Sequence, residues 1–237
     1  MPLVTSPSVS YEVECTDETR KVVTNALELP EPQKIKEIFE PFASLHCITP
    51  EKYMGKIIEV INKKRGTILG IDPSVEFGEN SFSAKFEMPL IEIISGLQDT
   101  IKSLSSGYAS MEYEFLGLRK SKIVKMDILI NKEIFDSLSI LVHEKKVIEV
   151  GKKIVAKLKN DLPRQNFTVP IQAAIGGKII ARETLQSFRK DVTAKLYGGD
   201  QTRKDKLLKK QAKGKKRMQS SGRVQIKKET YLKLISD

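Results

Sequence analysis

Apolar and polar residues alternate through Val9–Val13 in SVSYEVECT, the period of a β-strand, whose successive side chains point to opposite faces. The proline- and glutamate-rich LELPEPQK then breaks the pattern and reads as a linker. A strand with no neighbour is an exposed edge, so the chain is expected to begin inside a domain, with residues 1–33 holding that domain's end strand and the linker. From Ile38 the pattern turns regular. FEPFASLHCI alternates as a strand, and Pro50 opens a helical stretch, PEKYMGKIIEVINKKRG, that Gly66 ends. TILGI and FSAKFEM read as strands on either side of the polar loop DPSVEFGENS. A second helical run, LIEIISGLQDTIKSLSSG, follows Pro89 and leads into the strand YASMEYEFLG. The order β-α-β-β-α-β over residues 34–120 predicts an α+β, ferredoxin-like domain with both helices on one face of a four-stranded antiparallel sheet.

Residues 121–237 start a second pattern. KIVKMDILI and EIFDSLSILVH are apolar runs joined by Asn131-Lys132, a candidate hairpin turn. A helix is predicted from roughly Lys145 to Asn160, with Val147, Ile148, Val150, Ile154, Val155 and Leu158 along one stripe, and Pro163 stops it. FTVPIQAAIGGKIIARET is extended and nearly free of charge, and Gly176-Gly177 within it mark a turn or a close backbone approach. SFRKDVTAKLYGGD leads into a basic helix, and YLKLIS is a short apolar patch suited to docking back.

Charge changes the picture most. Residues 151–237 carry 23 Lys/Arg against 7 Asp/Glu, whereas residues 1–150 carry 18 against 23, so a basic end follows a mildly acidic body. Twelve of those cations and only three Asp lie between Arg189 and Arg217, where Leu207, Leu208 and Ala212 are the only candidates to anchor a helix. Packing alone does not account for such a run. Like charges repel until phosphates neutralise them, which points to a polyanion such as RNA, and the bland alternative is a solvated helix face.

The remaining composition narrows the class. Cys15 and Cys47 lie far apart with no metal-binding spacing, so neither a disulfide framework nor a zinc site is indicated. No apolar run approaches the ~20 residues of a membrane span. The first residues carry neither the apolar core of a secretion signal nor the arginines of a mitochondrial leader. Catalytic groupings are scarce. Gly176-Gly177-Lys178 ends like a phosphate loop, but Gln172 stands where that motif needs glycine and Ile179 where it needs a hydroxyl. His46 and His143 sit in apolar runs and read as structural, and Glu12/Glu14 and Glu112/Glu114 mark solvent faces of strands. SGYASMEY matches an RNA-recognition pattern at Gly107, Tyr108, Ala109 and Tyr113. It lacks a cation at Ser106 and a stacking ring at Ser110, so the two tyrosines read mainly as packing residues.

Four segments carry a family resemblance. LPRQNFTVPIQAAIGGKIIARET and RKDVTAKLYGGDQTRKDKLLKKQAKGKKRM resemble the C-terminal region of the LepA, or elongation factor 4, family of translational GTPases. SSGYASMEYEF resembles the end of the domain that this family shares with elongation factor G, and PSVSYEVE the last strand of the domain before it. The loop DPSVEFGENS is longer than usual for the family, and Leu196 stands where cysteine is common.

The resemblance implies residues 34–120 as a domain similar to the elongation factor G C-terminal domain and residues 121–237 as a family-specific α+β domain whose basic tail is 189–217. It implies a chain that is the C-terminal portion of its parent and is not itself an enzyme. The parent's GTPase domain, with GTP and magnesium, would lie upstream. The implied partners are the ribosome, its rRNA and tRNA; the implied role is action on ribosomes with misplaced tRNAs. A monomer is expected, in bacterial cytoplasm or in a mitochondrion or plastid, with peripheral membrane association left open. The alternative is a freestanding basic RNA- or DNA-binding protein. Expected phosphate contacts are Arg189, Lys190, Lys195, Arg203, Lys204, Lys206, Lys209, Lys210, Lys213, Lys215, Lys216 and Arg217. Gly198 and Gly199 would bring backbone N–H groups to a phosphate, or form a plain turn, and Tyr197 would stack on a ribose or base, or pack.

Overall fold

A computed structural model of the chain describes residues 7–74, 80–194, 201–222, 224, 226 and 230. These form two compact units, one of residues 7–24 and 28–122 and one of residues 25–27 and 123 onward.

The first unit is a six-stranded antiparallel sheet with helices on one face. Its strands are β1 (Tyr11–Cys15), β2 (Arg20–Val23), β3 (Ile35–Pro50), β4 (Thr67–Ser74), β5 (Ser81–Pro89) and β6 (Ser110–Lys120). They follow the order β2-β1-β3-β5-β4, and β6 lies along the other edge of β3. The N-terminal strand is therefore not alone: β1 pairs with β2 and with the first half of β3. Pattern reading missed this because RKVV is too short to alternate, and because β3 begins several residues before the FEPFASLHCI run. Pro41 has no N–H to give a ladder, and it falls between Phe39, which pairs with β1, and Phe42, which pairs with β5.

α1 (Glu51–Lys63) turns Met54, Ile57 and Ile61 inward. The predicted second helix is two, α2 (Leu90–Ile94) and α3 (Leu97–Leu104), because Gly96 between them takes the left-handed φ of 75° that stops a helix. The core lies between these helices and the sheet, around Leu45, Phe86, Met88, Leu97 and Ile101. A buried ion network closes one end of it. The Arg65 guanidinium grips the fully buried Glu40 carboxylate with two bonds of 2.8 Å and reaches Glu92 at 3.2 Å, while the Ser121 hydroxyl donates to Glu40 at 2.7 Å. Burial alone would lower the pKa of Arg65, but the two carboxylates more than offset that and hold it above its ordinary value.

The second unit is built on β7 (Ile123–Ile130), β8 (Glu133–Ile134), β9 (Ile140–His143), β10 (Val169–Ile175) and β11 (Lys178–Leu185), with α4 (Val147–Asp161) over the sheet. The strand order is β11-β10-β7-β8, and β9 pairs with the first half of β7. Both two-residue turns foreseen from sequence are present. Asn131-Lys132 has φ of 53° and 72°, and Gly176-Gly177 has φ of 53° and 84°, the left-handed pair that a tight hairpin requires. A Cβ at Gly151 would come within 3.3 Å of Ala173 Cβ, so this glycine sets how closely α4 approaches the sheet. Met126, Ile128, Val155, Leu158, Val169 and Ile171 fill the core.

Candidate nucleic-acid interface

The basic run forms a fifth helix, α5 (Gln201–Ser221). Lys, Arg, Gln, Leu and Ala are good helix formers, so local propensity supports it even though its apolar face is thin. Lys204, Leu207, Leu208, Gln211, Lys215 and Gln219 are partly covered and recur every three or four residues, which defines an inner face. Arg203, Lys206, Lys209, Lys210, Lys213, Lys216 and Arg217 are exposed. At 100° per residue these seven fall within roughly 140° of arc and, from Lys206 to Arg217, along about 17 Å of helix. The cations are thus sorted to one side.

The inner face is held by polar groups rather than by a hydrophobic stripe. Gln211 Nε2 donates to the Lys190 carbonyl at 2.8 Å. The Lys215 ammonium donates to Ser187 Oγ at 2.8 Å and to the Phe188 carbonyl at 2.7 Å. The strand of chain that receives them is itself fixed, since the Phe188 N–H donates to the Gln165 carbonyl at 2.7 Å. At the far end, Asn131 Nδ2 donates to the carbonyls of Gln219 at 3.0 Å and Gly222 at 2.9 Å. Gly222 has no room for a side chain, because a Cβ there would lie 2.5 Å from the Phe167 ring.

Arg189 and Lys190 are exposed beside α5, where Arg189, Lys190, Asp191, Val192, Thr193 and Leu208 line an open hollow of about 350 Å³. Asp191 is occupied locally: its Oδ1 accepts from Thr193 N and Oγ1, both at 2.8 Å, and those bonds hold its carboxyl below the usual range. Of the residues expected to contact phosphate, then, Arg189, Lys190 and the seven outer cations of α5 are exposed in the second unit. Lys204 and Lys215 face inward, and Lys195, Tyr197, Gly198 and Gly199 lie outside the described residues. What the sequence did not reveal are the supports, Asn131, Ser187 and Gln211, whose partners are 21 to 91 positions away in the chain. No local pattern signals such pairs.

Other candidates resolve differently. Gly176-Gly177-Lys178 is the tip of the antiparallel β10–β11 hairpin, not a loop between a strand and a helix. His46 pairs with Ser83 Oγ on the sheet surface, and His143 Nδ1 accepts the Lys145 N–H ahead of α4. Tyr108 and Tyr113 are not packing residues: they are 59% and 52% exposed, Tyr113 on the edge strand β6 and Tyr108 in the segment that leads into it. Among the described residues no group of three metal-binding side chains converges, and no helix is long and apolar enough to cross a membrane. Cys15 and Cys47 are both free and buried, and burial pushes the Cys47 thiol up to about 11. At pH 8 Cys47 is therefore expected to stay protonated and unreactive toward a disulfide reagent until denaturant exposes it; rapid labelling of the native chain at Cys47 would contradict the buried placement.

Comparison with known proteins gives two adjoining matches. Residues 37–129 match the family described as elongation factor G C-terminus, and residues 130–236 that described as GTP-binding protein LepA C-terminus. Proteins named elongation factor 4 align over 233 residues: that of Lacticaseibacillus casei at 46% identity and that of Mycoplasmopsis pulmonis at 45%. The chain belongs to the LepA, or elongation factor 4, family. Each alignment takes in 98% of this chain but 38% of the relative, so the chain spans under two fifths of the length of the relatives it matches. The cationic helix and its supports all lie within the LepA match, and the Glu40–Arg65 network lies within the elongation factor G match.

Proposed function

We propose that this chain is the ribosome- and tRNA-binding C-terminal region of an elongation factor 4 that acts on ribosomes whose tRNAs are misplaced. The observation that carries the reading is the sorting of Arg203, Lys206, Lys209, Lys210, Lys213, Lys216 and Arg217 onto one exposed side of a docked helix within the LepA-type region. Such a stripe suits the phosphates of a folded RNA, where backbone contacts give affinity and position without reading bases. Arg189 and Lys190 extend the same surface, and Lys195, Gly198, Gly199 and Tyr197 are further contacts in this reading.

The order β6-β3-β5-β4, with α1 and α2–α3 as its crossovers, supports reading residues 34–120 as a ferredoxin-like domain that serves as a rigid mount. Residues 121–237 would then be the family-specific domain. GTP hydrolysis is assigned to the parent protein's own nucleotide domain. Gly176-Gly177-Lys178 does not fit GTP or magnesium, being a closed hairpin tip between two antiparallel strands. The chain would work as a monomer wherever its ribosomes are, in bacterial cytoplasm or in a mitochondrion or plastid.

Co-sedimentation with purified ribosomes over a salt series tests the reading. The logarithm of the binding constant is expected to fall linearly with the logarithm of salt, by about 0.7–0.9 for each phosphate engaged. Absence of binding at low salt, or binding indifferent to salt, would rule the proposal out and favour a solvated helix face.

A further inference from the structure

The inner face of α5 separates cations that meet a ligand from groups that hold the helix in place. A phosphate-seeking lysine should have its ammonium in water. Lys215 instead spends two of its three N–H donors on Ser187 Oγ and the Phe188 carbonyl, and is partly covered. Asn131 does complementary work at the other end. A helix leaves its last carbonyls without partners, and from the tip of the β7–β8 hairpin the Asn131 side-chain amide takes that of Gln219 in the last turn and that of Gly222 directly after it. Asparagine suits that tip twice over. It tolerates the left-handed φ of 53° found there, and its NH₂ group has two donors to offer.

We infer that Asn131 and Lys215 are positioning residues of the RNA-binding surface: they dock α5 on the sheet domain so that its cationic stripe is pre-formed, and neither contacts phosphate. This rests on the reading of α5 as the anion-binding element. The docking does not come from a hydrophobic seam, since only Leu207 and Leu208 on the described inner face are apolar. Along the helix itself polar bonds and the close fit of Gly222 against Phe167 carry it, and just beyond its end Val224 is buried in the core with Ile226 packed against it. Chain order that is paid for in the free protein need not be paid for on binding.

The test uses two substitutions that spare the local backbone, measured in the full chain. Asn131→Gly keeps the left-handed turn and deletes the amide; Lys215→Met keeps the stem and deletes the ammonium. In hydrogen exchange of the free protein, the α5 amides of Asn131→Gly are expected to exchange roughly tenfold faster while β7 and β10 keep their protection. In ribosome co-sedimentation, both variants should bind roughly three- to tenfold more weakly at fixed salt, as expected when the docked population falls. Their log–log salt slope should equal that of the wild type. Lys213→Met is the control from the outer face, and its slope should be shallower by about 0.7–0.9.

Unchanged exchange in α5 would overturn the docking role of Asn131. A slope for Lys215→Met as shallow as that for Lys213→Met would make Lys215 a phosphate contact and overturn its assignment. If the wild-type chain binds no ribosomes at all, the functional reading fails separately, and the exchange result still decides whether Asn131 docks the helix.

Discussion

Replacing Lys209, Lys210, Lys213 and Lys216 together by alanine is expected to flatten the salt dependence of ribosome binding by about 2.8–3.6 in log–log slope, since each lost phosphate contact removes about 0.7–0.9. At 0.1 M salt that amounts to a weakening of roughly a thousandfold. All four side chains are exposed on the outer side of α5, so their removal opens no cavity, and alanine is the best helix former. Thermal unfolding should therefore hardly move. The pairing of a large loss in binding with an unchanged midpoint is the signature sought. A variant that keeps the wild-type slope would place the RNA contacts elsewhere on the molecule.

The second large effect is on stability and lies in the other unit. Arg65→Met would leave Glu40 fully buried without its two-pronged partner and Glu92 without one of its donors. Breaking a buried pair in this way costs about 3–5 kcal/mol. In a unit of this size each kcal/mol shifts the unfolding midpoint by about 4–8 °C, so the transition of the first unit should fall by about 12 °C or more. Arg65→Lys should recover only part of this, because an ammonium cannot reproduce the paired bonds of a guanidinium. Adding Glu40→Leu to Arg65→Met should also restore part of the loss, since the stranded charge is then gone. A cost below about 1 kcal/mol for the single substitution would mean that water reaches Glu40 and that the network is not sealed.

How much of this was legible depended on how local each signal is. The α+β character, the helices α1 and α4, and the two left-handed turns follow from alternation, stripes and turn residues close together in sequence, and all are present. The two-strand extension made by β1 and β2 was not legible, because β2 is four residues long and carries no period, and the part of β3 that pairs with β1 starts directly after a linker-like stretch. The break at Gly96 was visible as a glycine, but the apolar residues on both sides keep one helical phase and conceal it. At the interface, the cationic stripe could be read directly from residue type and helical spacing. Helical spacing sets Lys215 on the side of Leu207 and Leu208 and Lys213 on the other, but that Lys215 is bonded there to Ser187 and Phe188, 28 and 27 positions away, has no local signal. The exposure of Tyr113 likewise depends on β6 being an edge strand, which is a property of the whole sheet.

The fastening of α5 at Gln211 and again at Gln219–Gly222 also limits how this sequence can drift. One residue inserted or deleted between those points would rotate everything beyond it by about 100° and shift it by about 1.5 Å. Either the distal clamp would miss Asn131, or the lysines would turn toward the sheet. Length changes among natural variants of this protein should therefore fall outside the span from Gln211 to Gly222, since even a step of three or four residues, which nearly restores the phase of the faces, would carry Gln219 and Gly222 about 5 Å along the axis away from Asn131.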